Sequence, residues 1–325
     1  MTHRSRRAAL VLAAGVLLAT TATACEPPGP PPSFTVLPAA TGPDATPGDG
    51  VCATSGGQCS LQAAVEEANA LDTPTDVLIP DGVDAAADLT VTGAITLVPD
   101  EDPADLSVSP ISWTIAEGGQ LTVTDAALGS VVVDGTLLAR RVQVGARVGG
   151  PITGLDALVE VGATGTVLLS NVWAHAQGSP LLSNAGVVSL HGVTILPMTA
   201  PGGPTITTET GGQTRLSAVA VLGGTTVADT CAGEAPTSYG YNLVPDTTCG
   251  LLMEGDRQDY VGSGLTPALV GDARLDAIPV GTLHCGAGWD DDVVSQGAAV
   301  RPADSGEPGV AACDIGGREL FGTIG

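Results

Sequence analysis

Lysine is missing from all 325 residues of the chain. Without a side-chain primary amine, Schiff-base catalysis, lysine-held pyridoxal chemistry and the Gly-Lys-Ser/Thr phosphate loop are excluded. Aromatic residues make up only 2% of the chain, so large rings cannot fill a globular core and small, β-branched side chains must do the packing. Basic charge is scarce too: 11 arginines face 35 acids, for a formal net charge of −24. Such a surface repels phosphate backbones and anionic headgroups, which argues against nucleic acid as a partner. There are four histidines and no Cys-x-x-Cys pair, so a zinc site has no spacing to support it and no cofactor is expected.

What is present begins with an export segment. Residues 1–24 carry Arg4, Arg6 and Arg7, then an apolar run from Ala8 to Ala19, then small residues before Cys25. Ser5-Arg6-Arg7 resembles a twin-arginine signal, although Ala9 stands where that pattern favours Phe, so the export route stays open. Ala22-Thr23-Ala24-Cys25 resembles a bacterial lipobox with Ala22 in place of Leu. The same residues suit ordinary signal peptidase and a secreted chain. Cysteine arithmetic favours the lipid: the seven cysteines lie at 25, 52, 59, 231, 249, 285 and 313, and setting Cys25 aside for acylation leaves an even six. The simplest local pairing joins Cys52 to Cys59, Cys231 to Cys249 and Cys285 to Cys313, one of fifteen formal connectivities. Disulfides imply an oxidising, extracytoplasmic compartment. Residues 25–33, rich in proline, read as an extended tether.

The most specific text is Cys52 to Leu71. Two cysteines bracket a Gly-rich loop, Ser60 stands as a helix N-cap, and Leu61, Ala64, Val65, Ala68 and Leu71 recur at the helical period. Together with Phe34-Thr35-Val36 and Pro47 to Cys52, this stretch resembles the CSLREA domain of bacterial surface proteins, which opens right-handed parallel β-helices. The departure is Gln62-Ala63 where that family has Arg-Glu. Asn69 keeps the family's place, and its expected role is a hydrogen bond at the helix end rather than catalysis. The resemblance implies an all-β fold, a right-handed parallel β-helix, with residues 34–80 as an N-terminal cap and residues 81–225 as its coils.

The coils carry a loose repeat. Blocks ending at Ala126, Val142, Val172, Val193 and Val219 each hold a strand, a polar corner and a return to an apolar residue, at intervals of 16, 30, 21 and 26. Periods of this size suit a β-solenoid of six or seven coils stacked about 4.8 Å apart. After Val221 the text turns to loops. Gly240 to Val244 with Cys249-Gly250-Leu251, and later Ala311 to Leu320, resemble the choice-of-anchor segment that follows such β-helices, assigning residues 226–325 to it. No sorting motif or hydrophobic tail follows, so the anchor falls to Cys25.

Many β-helices cleave acidic polysaccharides with clustered carboxylates. Here Asp125, Asp134, Asp156 and Glu160 are scattered over the coils, Arg140-Arg141 reads as a solvated pair, and His191-Gly192 lacks the aspartate pairs of a pectinase-type site. Asp290, Asp291 and Asp292 offer calcium a weak site at most, because consecutive side chains in extended chain point to alternate faces; a solvated turn is the preferred reading. The sequence therefore points to a non-catalytic, lipid-anchored surface scaffold contacting wall polysaccharide or a surface protein. The competing expectation is a polysaccharide lyase or hydrolase, and a third is passive envelope packing.

Overall fold

The computed structural model of the protein describes residues 30–80, 83, 88–99, 112–145, 157–177, 180–199, 203–221, 229–258, 278–279 and 312–313. The chain opens with β1 (Ser33–Thr35), crosses the first disulfide loop and forms α1 (Leu61–Ala70), the one helix among the described residues. Then come β2 (Thr75–Ile79), β3 (Leu89–Val91), β4 (Ala94–Pro99), β5 (Ser112–Ile115), β6 (Gln120–Thr124) and β7 (Ala127–Leu128). The middle of the chain gives β8 (Ser130–Val133), β9 (Thr136–Arg140), β10 (Gln143–Val144), β11 (Val159–Val161), β12 (Thr166–Ser170) and β13 (Trp173–Gln177). It continues through β14 (Leu182–Asn184), β15 (Val187–His191), β16 (Thr194–Thr199), β17 (Ile206–Thr208), β18 (Gln213–Ser217) and β19 (Ala220–Val221). Last are β20 (Cys231–Gly233), β21 (Thr237–Ser238) and a short antiparallel pair, β22 (Ile278–Pro279) with β23 (Ala312–Cys313).

The strands before β22 form three parallel sheets of nine, seven and five strands. From β5 onward the chain visits the seven-, nine- and five-stranded sheets in that order, circuit after circuit. This is compatible with a parallel β-helix. Alternation explains the strands: Leu121, Val123, Leu137, Ala139 and Val167 are buried while their neighbours are more exposed, the period of two that a half-buried strand requires. Pairing register stacks these residues into rows, such as Leu97, Val123, Ala139, Leu169, Leu190 and Leu216. Trp113 is the only large ring in the seven-stranded sheet's inward rows.

One corner of each circuit is invariant in length: two residues always join the nine- to the five-stranded sheet, whereas the corner between the seven- and nine-stranded sheets alternates between two and four residues from β3 through β18. Between the seven- and nine-stranded sheets stand Gly93, Gly119, Gly135, Gly165, Gly186 and Gly212, one per circuit, and a Cβ at each of the last five would run into a backbone carbonyl of the same corner. Six residues after each of Gly119 to Gly212 comes a left-handed residue: Asp125, Arg141, Asn171, Gly192 and Ala218, with Tyr241 continuing the column. The amide of each donates to the next circuit, as Arg141 N does to Ser170 O and Asn171 N to His191 O. The irregular repeat lengths arise mainly at the third corner, which is Gly129 alone between β7 and β8 but residues 145–158 between β10 and β11.

The structure redraws some expected elements. The apolar run Leu89–Val98 is two strands in two different sheets, because the chain turns at Thr92-Gly93. The loop-like text after Val221 still pairs in parallel: β20 with β17, β21 with β18, and Leu243 with both Ala220 and Arg257.

Helix α1 starts as its sequence implies, with the Ser60 hydroxyl accepting from Ala63 N at 3.0 Å. It lies against β2, β3 and β4. Its second buried side was not legible: the Glu67 carboxylate is fully buried and accepts the amides of Gly48 and Gly50, which strap the disulfide loop onto the helix through charge-assisted bonds. Asn69 behaves as expected of a hydrogen-bonding helix end. Its Oδ1 accepts from Thr92 N and Gly93 N at 2.8 and 3.1 Å, and its Nδ2 donates to Thr90 O at 2.7 Å. Two circuits on, Ile115 O accepts from both Asp134 N and Gly135 N. The Asn69 amide thus takes the part of a backbone carbonyl from a preceding circuit. Asn69→Ala should leave the helix intact and cost about 1–2 kcal/mol, read as a lower thermal midpoint.

Candidate functional site

The described acids of the circuits do not converge. Asp125 makes a two-pronged ion pair with Arg141, both contacts 2.6 Å. The pairing gives Arg141 a place in the left-handed column and corrects the expectation of a merely solvated arginine. Asp134 occupies the space over Gly162, and Glu160 accepts from Ala157 N. Asp156 lies outside the described residues, as do Cys25, Cys285 and Asp290 to Asp292. His191 is buried, and Gly192 after it has the φ of +57° that its corner demands. The histidine-glycine pair is thereby explained by the backbone. No group of three metal-ligating side chains occurs among the described residues.

Two disulfides are formed, Cys52 with Cys59 and Cys231 with Cys249. The preferred partner pairing of Cys285 with Cys313 lies outside the described side chains. These bonds mark an oxidising compartment. No described helix is long and apolar enough to cross a membrane.

A polar constellation surrounds the second bridge. Asp246 Oδ2 accepts from the amide and hydroxyl of Thr230, its Oδ1 from the amide and hydroxyl of Thr248, and Thr248 in turn accepts from Cys231 N. Burial pushes this carboxyl up, and the bonds from Thr248 and Thr230 together outweigh it, leaving it below the ordinary value of 3.8. A carboxyl depressed in the folded state contributes stability that is full above the unfolded pKa and disappears as pH falls through the folded one. The melting advantage of the native chain over Asp246→Asn should therefore shrink below about pH 4, measured by thermal scans across an acid series.

A second network is buried between β14, β17 and β18. Asn184 Nδ2 donates to Thr214 Oγ1 at 2.9 Å and Gln213 O at 3.0 Å, its Oδ1 accepts from Gly186 N, and the hydroxyls of Thr208 and Thr214 meet at 2.7 Å. Valines fill the corresponding rows in earlier circuits. A buried group satisfied this fully fixes register and offers no free valence to a ligand.

The outward face of the nine-stranded sheet is different in kind. From β4 through β21 its strands contain no Asp or Glu at all, although the chain carries 35 such residues. Its central column runs Thr96, Thr122, Leu138, Leu168, Ser189 and Arg215. Arg140 stands in the trailing column on β9, half-buried, and Arg215 is exposed on β18. The same face reads from sequence only once strands are known to stack, since its residues recur at irregular intervals.

Comparison with family models, with curated proteins and with solved structures found no match.

Proposed function

We propose that this protein is a lipid-anchored surface scaffold: an export signal ends at Cys25, the acylated cysteine holds the chain at the outer face of the membrane, and the stacked circuits are displayed beyond a proline-rich tether. In this reading the three sheets close into a right-handed parallel β-helix, α1 covers its first circuit as the CSLREA-like end, and the segment from residue 226 is the choice-of-anchor-like end. The role is adhesion or contact within the cell envelope, without catalysis. One observation carries the reading: a parallel sheet whose inward rows form continuous core while its outward rows, free of acid from β4 through β21, lie open as an extended surface. The odd number of cysteines, with one standing after small residues at position 25, supports the anchor, and the two disulfides support exposure to an oxidising space.

Mass spectrometry of the membrane-extracted protein should find a diacylglyceryl group on Cys25, and Cys25→Ser should release the chain from membranes. A mature chain starting elsewhere, or without acyl mass, would remove the anchor. Depolymerisation of a polysaccharide by the purified protein, abolished by substituting Asp134 or Glu160, would replace the scaffold with an enzyme.

A further inference from the structure

We infer that the outward face of the nine-stranded sheet binds an extended, carboxylate-bearing polysaccharide laid along the stack, across the strands; this rests on the scaffold reading and names its partner. Charge segregation is the first argument. The chain is strongly acidic, yet strands β4, β6, β9, β12, β15, β18 and β21 carry Arg140 and Arg215 and no carboxylate; the acid of this face is Asp76, on β2 beside Thr96, three strand steps before Arg140. By strand propensity alone the neighbouring sheet should be equally depleted, but it places Glu160 in the middle of its outward row. The nearest corner acids, Glu117, Asp134 and Glu209, precede the sheet. They therefore border the leading column of Gln120, Thr136 and Gln213, whereas the two arginines occupy the central and trailing columns. Asp125, at the trailing corner, is neutralised by Arg141.

Shape and chemistry give the second argument. Arg140 on β9 and Arg215 on β18 are three strand steps apart, about 14 Å at the strand spacing. Between them Leu138 and Leu168 stack as an apolar step flanked by the hydroxyls of Thr122, Thr136, Thr166 and Ser189. A pyranose ring has an apolar C–H face and a rim of hydroxyls, and an extended pyranose chain advances by nearly one strand spacing per ring. Rings can therefore rest over the leucines and meet a hydroxyl at each strand. Arg guanidinium forks bind carboxylates in two-pronged fashion. A polyol phosphate would satisfy the arginines but has no ring face for Leu138 and Leu168, so carboxylated sugar is the better match. His191, though in the trailing column, is buried and takes no part.

The test compares two soluble polymers with one extended backbone, carboxymethylcellulose and hydroxyethylcellulose, with poly(glycerol phosphate) as a third arm, using the intact mature protein in affinity electrophoresis and calorimetry. The expected result is binding to carboxymethylcellulose at least tenfold tighter than to hydroxyethylcellulose, weakened by salt. Arg140→Gln with Arg215→Gln should lose at least tenfold while melting unchanged, and Leu168→Thr should weaken binding with the salt dependence retained. Equal affinity for the neutral polymer, preference for the phosphate polymer, or an undisturbed double variant would each overturn the inference. Retention of the double variant on isolated envelope material would do so while leaving the scaffold reading standing; failure of the native protein to bind any envelope material would end both.

Discussion

Gly135→Ala should destabilise the protein by about 3 kcal/mol, while Gly203→Ala should leave it unchanged or add up to about 1 kcal/mol. Both substitutions add one methyl group to a glycine whose backbone any residue can adopt. At Gly203 the methyl enters open space. At Gly135 it meets the carbonyl oxygens of Gly119 and Ala116 and the side chain of Ile115, all belonging to the circuit before it. Those carbonyls cannot retreat cheaply, because Gly119 O accepts from Thr136 N and Ala116 O accepts from Gly119 N, while Gly135 N itself donates to Ile115 O. The methyl must push the circuits apart at a corner where they are hydrogen-bonded. Urea unfolding distinguishes the outcomes: the midpoint should fall for Gly135→Ala with the slope preserved. A variant as stable as the native chain would show that the column of glycines is not required for close stacking.

The column also shows what sequence could and could not reveal. The blocks ending at Ala126, Val142, Val172, Val193 and Val219 were readable because strand and corner keep one length, and all but the first of these end residues lie wholly out of solvent. The glycines share those intervals, 16, 30, 21 and 26 from Gly119 to Gly212, but with 45 glycines in the chain no single one stands out. Left-handed Asp125, Arg141 and Ala218 were hidden for a different reason: Asp tolerates that conformation, whereas Arg and Ala hold it only because the neighbouring circuits impose it. The two- and three-residue strands of the other sheets are too short to produce an alternation that text alone can register. Helix α1 was legible from Ser60 and its apolar spacing. Glu67 was not, since its burial depends on glycine amides that arrive from nineteen and seventeen residues away.

The outward face poses the same difficulty in another form. Arg140 and Arg215 are 75 residues apart in sequence and become parts of one surface only through three parallel pairings. Reading the arginines individually gives solvated charges. Reading the acids individually gives scattered carboxylates. The absence of acid from β4 through β21 of one sheet is a property of the register and exists only after folding.

Asn242→Val should cost about 3 kcal/mol, even though it installs the residue that earlier circuits prefer. The register of Leu243 on Ala220 places Asn242 directly after Val219 in the row that runs through Val142, Val172 and Val193. Asn242 is fully buried there. Its Oδ1 accepts from Val219 N at 3.0 Å, and its Nδ2 donates to Ser238 Oγ and Asp256 Oδ1, both at 2.9 Å. Asp256 completes the knot by accepting from Asn242 N and, through its other oxygen, from Ser238 Oγ and Met253 N. Gly255, with φ +77°, leaves room for the ring of Tyr241 beside it. The motif Gly240-Tyr241-Asn242-Leu243-Val244 is thus one more turn of the left-handed column in which a side-chain amide has entered the core row. Valine would gain about 1–2 kcal/mol in apolar burial but would strand the Val219 amide in the core and deprive the Asp256 carboxylate of the Nδ2 donor, which costs more. Asn242→Asp should be no better, since it sets a second carboxylate against Asp256. Its deficit should ease on acidification, whereas that of Asn242→Val should not. Thermal and urea unfolding of both variants at neutral and acid pH read this contrast, and a valine variant matching the native midpoint would show that Asn242 merely fills space.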